Sequence, residues 1–498
     1  MSAIFPDSKT FVDMKLKHSE EYTLKAFEDF LKDLKTKNIP RNKLEKFVRE
    51  HFDDVGSEFE TWYPPDWHGN PKIFNKIIDP KMKKFAKKLH SMWKYLGRKI
   101  KKNVADNPNL YSMVYVPNAF IVPGGRFREF YYWDSYWIIK GLLYSEMYDT
   151  VKGMLINYLE LVNKYGLVPN GGRIYYAGRS QPPLLIPMIY YYFKATGDTK
   201  FISQYLYLLE EEYAFWITNR TVKLKVDGVT YTLVRFNDET RGPRPESYRE
   251  DHNAAHLMAT EVEKEEYYAE MKAAAESGRD FSSRWFIFNA AYYQKQADTW
   301  NHAIQKVLWH EDVGCWLDWD LLNGKRRNYF YPSNLAPHLA EKILNYLQKF
   351  NLDDYPGGIP SSFETTGEQW DFPNIWSPLE DMVISGLDFL DDGRAKDFAR
   401  NHAFKWIYTM YRGYSDTKAM YEKYDATVSG APGGGGEYVN QIGFGWTNGV
   451  ALDLLAKYAD QILPPPKDWP SSADRPKLSF LCKIIIVVSI IVAFLKSF

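Results

Sequence analysis

The chain has 498 residues with 63 basic and 63 acidic side chains, so its net charge is zero, and it shows no basic stripe of the kind a nucleic-acid binder carries. Its two cysteines, Cys315 and Cys482, exclude a disulfide framework and a thiolate metal site. Sixteen Trp, 37 Tyr and 30 Phe read first as a large core and second as a sugar site lined by aromatic faces. The N-terminus, MSAIFPDSKTFVDMKLKHSEEY, has no apolar segment of the secretory-leader type. From there helical periodicity dominates. Met82, Phe85, Ala86, Leu89, Met92, Trp93, Leu96 and Ile100 recur at spacings of three and four, which marks one buried helical face. Similar patterns predict helices over Ser135–Lys164, Pro183–Thr196, Thr199–Asn219, Phe286–Leu308, Pro337–Phe350, Pro378–Tyr411 and Asn448–Ile462. One strand is predicted, Val229–Phe236, rich in β-branched and aromatic residues. Helices running unbroken to Pro464 predict a single all-α domain over residues 1–465, in which paired helices can bury their apolar faces by closing into a double ring. A linker (466–477) and a hydrophobic tail (478–498) follow.

The chemistry-bearing residues fall in the loops between helices, where a rigid scaffold usually carries function. Six blocks stand out. PGGRFREFYYWDSYW (Pro123–Trp137) sets Arg126, Arg128, Glu129, Trp133 and Asp134 among aromatics, either as a buried ion pair or as a sugar subsite. NGGRIYYAGRSQPP (Asn170–Pro183) supplies Asn170, Arg179, Ser180 and Gln181, beside two glycines that let backbone approach a ligand. Arg244-Pro245-Glu246 can present both charges on one side, although such a run by itself reads as a salt-bridged loop. Glu276–Trp285 holds Gly278 and Asp280, and an apolar wall beside Asp280 would raise its pKa as a general acid requires. Taken alone, Asp280 reads as a helix N-cap. Gln369–Pro378 offers Trp370 as a stacking platform. Gly433–Val450 delivers Glu437 on four successive glycines, which suits a flexible lid or a close approach to substrate. No GxSxG elbow, Walker loop or HExxH occurs, and the ten histidines do not cluster with metal-ligand spacing.

The first and fifth blocks resemble the two signature patterns of trehalases, and the match continues in order through RSQPP, RPESYRED, DFSSRW and GGGGEY…GFGWTNGV, covering roughly Phe5 to Pro465. The resemblance implies an (α/α)6 toroid with its active site at one mouth of the ring. It implies Asp280 as general acid, Glu437 as general base, and inversion at the attacked carbon, with the two carboxyls roughly 6.5–9.5 Å apart. The matching sugar-binding positions are Arg126, Trp133, Asp134, Asn170, Arg179, Ser180, Gln181, Arg244, Glu246 and Gly278. A carboxylate at Asp134 is expected to offset positive charge in the transition state. The implied substrate is α,α-trehalose, with no cofactor and no metal. Two positions depart from the family pattern. Arg279 stands where relatives often have Trp, and its guanidinium would lower the Asp280 pKa if it points inward. Ile375 stands where Gly is common. The alternatives are another toroid α-glucosidase, or a non-catalytic sugar receptor held on a membrane.

The tail IIIVVSIIVAFL (Ile484–Leu495) follows small residues Ser471, Ser472 and Ala473 and a polar spacer. It admits a buried core helix, a membrane span starting near Leu478, or a lipid-anchor signal. Membrane attachment is the expectation, with the catalytic domain outside the cell. The missing leader then implies an incomplete or variant N-terminus. One sequon, Asn219-Arg220-Thr221, permits glycosylation on that route.

Overall fold

A helix that is apolar on every side is stable only when other helices surround it. The computed structural model contains such helices at its centre and amphipathic ones outside them. It describes residues 4–34, 39–226, 228–238, 240–256, 258–285 and 340–463, together with short strand pairs at 309–310 with 315–316 and 319–320 with 325–326. The longer helices are α1 (Glu20–Asp33), α2 (Arg41–His51), α3 (Pro80–Leu96), α4 (Asp134–Tyr144), α5 (Tyr148–Tyr165), α6 (Leu185–Thr196) and α7 (Thr199–Asn219). They continue with α8 (Tyr248–Ala255), α9 (Glu261–Glu276), α10 (Ala340–Lys349), α11 (Ser377–Phe389), α12 (Gly393–Thr417) and α13 (Gly445–Lys457).

In α13 every residue from Gly445 to Leu455 is buried, and α4 is buried at Asp134, Ser135 and throughout Trp137–Leu143. These two helices pack on each other, and α13 also packs on α3 and α11. The outer helices bury one face only. In α3 that face is Met82, Phe85, Ala86, Leu89, Trp93 and Leu96, and in α7 it is Phe201, Leu208, Leu209 and Trp216. Their starts are capped as the sequence dictates. Asp79, before Pro80, accepts the Lys81 and Met82 N–H groups, and Asp198 accepts that of Phe201. The result is an all-α toroid of inner and outer helices.

The inner contact depends on two glycines. A Cβ at Gly449 would collide with the Trp137 carbonyl, and one at Gly141 would sit 2.7 Å from the Gly449 Cα. The α4 and α13 backbones therefore touch, which only hydrogen side chains allow.

Several elements differ from expectation. The Met82–Ile100 pattern ends as helix at Leu96, and Gly97–Ile100 becomes a strand between Phe59–Thr61 and Phe120–Ile121. The Ser135–Lys164 pattern is two helices, broken where Glu146 adopts φ +58°. Pro378–Tyr411 is likewise two, separated at Leu390–Asp392. The predicted strand is real but shorter, Val229–Val234, and pairs with Thr221–Val226 in a hairpin. The helix expected over 286–308, the linker and the hydrophobic tail lie outside the described residues. Among the described residues no helix is long and apolar enough to cross a membrane.

Gly449→Val should cost about 3 kcal/mol of stability or more, because the collision is with backbone that cannot yield. Gly393→Ala, where a Cβ meets open space, should change it by less than about 0.5 kcal/mol. Denaturant unfolding checks both, and equal losses would refute the helix contact described.

Candidate active site

The loops preceding α4, α6, α8, α11 and α13, and the one following α9, line a cavity open to solvent, with about 650 Å³ of space including its mouth. Its floor is tryptophan. Trp370 and Trp376 stack face to face at 3.9 Å. Trp446 meets Trp376 and Trp133 edge-on, each at 5.8 Å. One face of Trp370, the stacking platform expected from the sequence, is thus covered by Trp376. Apolar ring faces above, with polar groups around the rim, suit a molecule with both CH faces and hydroxyls.

Asp280 comes from the loop after α9. That helix starts with a capping box between Thr260 and Glu263 and ends at Glu276. Glu276 is fully buried and anchors three segments: Arg220 donates to it at 2.8 Å, the Ser180 N–H at 2.9 Å and the Asn237 N–H at 2.7 Å. Gly278 then turns with φ +72°, and its missing Cβ leaves room for the Trp133 indole, 2.7 Å from where that carbon would be. Beyond the acid, the Trp370 N–H donates to the Phe281 carbonyl and Asp371 accepts both the N–H and the hydroxyl of Ser283. The Asp280 carboxyl opens 28% into the cavity and is otherwise enclosed by protein. Burial pushes its pKa up to about 7, against the pull of Arg244 and with the push of Glu437. The cations that pull it down are Arg244 first and Arg179 second. The backbone of Arg279 is tied locally, its N–H to the Ser277 hydroxyl and its carbonyl to the Trp285 indole.

Glu437 faces it from the glycine loop. The glycines serve a close approach, but to protein rather than to a ligand. A Cβ at Gly435 would collide with the Gly367 carbonyl, and one at Gly436 would lie 2.7 Å from the Gln369 Cβ. Both have positive φ, +73° and +82°. The lid expected from four glycines is thus a strut pressed on residues 367–369. Gly171 and Gly172 act similarly, crowded by the rings of Tyr131, Tyr176 and Phe130.

Arg244 lies between the two carboxyls. Its Nη2 donates to Glu437 at 2.9 Å and to Asp251 at 2.6 Å, while Nη1 is 3.6 Å from Asp280. The ring of Phe281 lies 4.6 Å from its guanidinium. The carboxyls are thus held apart by one guanidinium. Ser247 also donates to Glu437, at 3.2 Å.

The remaining sequence-predicted residues line the same cavity, except Ser180. Arg126, Trp133, Asp134, Asn170, Arg179, Gln181, Arg244, Glu246 and Gly278 all contribute to the wall. Arg179 pairs with Glu246, whose pKa is lowered because Arg179 and Arg244 outweigh its burial. Asn170 accepts from Arg179 at 3.1 Å, and Gln181 accepts the Trp133 N–H at 3.0 Å. Ser180 lies behind the wall, its hydroxyl donating to the Val168 carbonyl at 2.7 Å. Glu129 of the first block joins Lys9 and Arg173 in a buried ion cluster. Asp134 is pushed well above the usual carboxyl range by burial and by Glu422. Burial and the neighbouring Glu422 thus oppose the charged form expected at Asp134.

Sequence reading missed two contributors. Glu422 lines the cavity and accepts from the Tyr438 hydroxyl at 2.7 Å. Nothing in MYEKYDA separates it from a surface acid. The second is the N-terminal segment. Asp7 accepts both Nε and Nη2 of Arg126 at 2.7 Å, and Arg249 holds the Phe5 and Pro6 carbonyls at 3.0 and 2.7 Å. Among the described residues, no group of three or more His, Cys, Asp or Glu side chains could hold a metal ion.

The trehalase family model matches residues 3–290 and 287–459. Trehalase of Apis mellifera is 48% identical, over 93% of this chain and 82% of its own. Trehalases of Oryctolagus cuniculus and Homo sapiens are 45% and 44% identical, each over 93% of this chain and 88% of theirs. Among solved structures, neutral trehalase Nth1 from Saccharomyces cerevisiae superposes with a TM-score of 0.51 at 21% identity, over 70% of this chain and 76% of that one, which speaks to the shared fold. Matched by its family model along nearly all of residues 3–459, this chain belongs to the trehalase family.

Proposed function

We propose that this protein hydrolyses α,α-trehalose to two glucose molecules, with Asp280 as general acid, Glu437 as general base and inversion at the attacked carbon. The observation that carries the reading is the arrangement of two carboxyls across one aromatic-floored cavity, separated by the Arg244 guanidinium. Asp280, with a pKa of about 7, still holds a proton near neutrality and donates it to the bridging oxygen as the bond breaks. Glu437, hydrogen-bonded to Arg244 and Ser247, takes a proton from a water on the opposite face of the sugar ring. That water's oxygen bonds the anomeric carbon and the other glucose leaves with the proton from Asp280, so the step balances. Arg126, Arg179, Gln181, Asn170 and Glu246 surround the hydroxyls, and Trp133 and Trp370 the apolar faces.

The apolar run Ile484–Leu495 supports a further proposal, that the tail attaches the enzyme to a membrane. The full chain should then enter the detergent phase on phase partition, and a chain ending at residue 465 should stay in the aqueous phase. Aqueous partition of both would refute attachment.

Proton NMR should show α- and β-glucose appearing in equal early amounts from trehalose, and none from maltose. Asp280→Asn and Glu437→Gln should each lower kcat by about a hundredfold or more with the fold retained. Early β-glucose absent, or either variant near full activity, would overturn the assignment. The profile of kcat/KM should fall as pH rises through about 7, where Asp280 loses its proton. Arg244→Met should move that limb to higher pH, since it removes the cation that favours ionised Asp280. An unmoved limb would detach it from Asp280.

A further inference from the structure

The acid and the base reach the cavity on two separate loops, and one buried ammonium lies where those loops are tied together. Lys423 pairs with Trp376 in the short antiparallel strand pair Asn374–Trp376 and Lys423–Asp425, and its side chain is fully buried. Its Nζ donates to the Gly435 carbonyl at 3.1 Å, two residues before Glu437. The same atom donates to the Gln369 side-chain oxygen at 3.3 Å. The Gln369 side-chain nitrogen in turn donates to the backbone carbonyl of Asp280 at 2.6 Å. The backbone of Lys423 braces the same loop, since its carbonyl accepts the Gly433 N–H at 3.0 Å and the Asn440 amide at 2.8 Å.

Burying a cation is costly, and here burial brings the Lys423 pKa down to about 8 despite the carboxylates of Glu422 and Glu368. An apolar side chain would fill the space without that cost. It could not donate to carbonyls on two loops at once. Gln369 completes the link because an amide both accepts and donates. The Trp376 indole donates to the Gln369 carbonyl at 3.0 Å, which fixes Gln369 from behind.

We propose that Lys423, acting through Gln369, is a positioning residue that sets the separation of Asp280 and Glu437. The inference rests on the acid and base assignments above. Lys423 touches neither carboxyl, and it is not among the residues lining the cavity. Its effect is on where the carboxyls stand once substrate is bound, so its loss appears in kcat more than in KM. A shift of about 1 Å in such a site can cost up to about a hundredfold in rate.

The test compares Lys423→Met, Gln369→Met and the double variant in the full chain, with trehalose as substrate and circular dichroism as the check on folding. Lys423→Met should lower kcat about tenfold or more while KM stays within about threefold. Gln369→Met should lower kcat comparably, and the double variant should be no more than about threefold worse than the poorer single, because both changes break one link. A folded Lys423→Met with kcat within twofold of wild type, a loss carried in KM, or losses that multiply in the double variant would overturn the proposal. Should Lys423→Met fail to fold, Gln369→Met decides by the same kcat criterion. A wild type that releases no glucose from trehalose fails the functional reading itself. An active wild type with an unimpaired Lys423→Met fails only this inference.

Discussion

The burial of the Arg244 guanidinium is the constraint around which the site is arranged. A buried cation must be paired, and Arg244 is paired by Asp251 and Glu437 at hydrogen-bonding distance and by Asp280 only at 3.6 Å. That asymmetry separates two chemically identical groups. Glu437 receives direct hydrogen bonds from Arg244 and Ser247. Asp280 lies 3.6 Å from the same cation, outside hydrogen-bonding distance, and burial pushes its pKa up to about 7. Burial at Asp280 and unequal distances to one guanidinium thus give the two carboxyls different surroundings. The other cavity arginines are also paired, Arg179 with Glu246 and Arg126 with Asp7, and the pull of Arg179 on Asp280 is smaller than the effect of burial.

Holding that arrangement requires segments from distant parts of the chain to meet within ångströms. The inner helices bring Trp133 and Trp446 together because Gly141 and Gly449 let their backbones touch. Glu276, just before the Asp280 loop, joins the Ser180 loop, Arg220 before the hairpin and Asn237 after it. The glycine strut presses on residues 367–369, and Lys423 joins it to the segment that supports Asp280. The N-terminal segment closes one side, so residues that precede the first long helix belong to the catalytic unit.

Much of this was legible in the sequence. Helix spacing depends on which residues face inward, so the buried faces of α3 and α7 could be read directly from their periodicity. The ordered motifs placed Asp280, Glu437 and the arginines in one site, and all of these line one cavity. Ser180 shows the limit of the approach. In RSQPP its neighbours on both sides face the cavity, while its own hydroxyl points back to Val168. Which side of an irregular loop a residue faces depends on backbone torsions that no repeat reveals.

The sequence by itself determined the family, the helical class and which two carboxyls are proposed to react, because these depend on residue types in a fixed order. Tertiary structure alone decided their electrostatics and their partners. The raised pKa values of Asp280 and Asp134, the bond from Tyr438 to Glu422 and the pairing of Asp7 with Arg126 all depend on groups that lie far apart in the chain and close in space. Coulomb and desolvation energies vary with distance and burial, and neither quantity exists until the chain has folded.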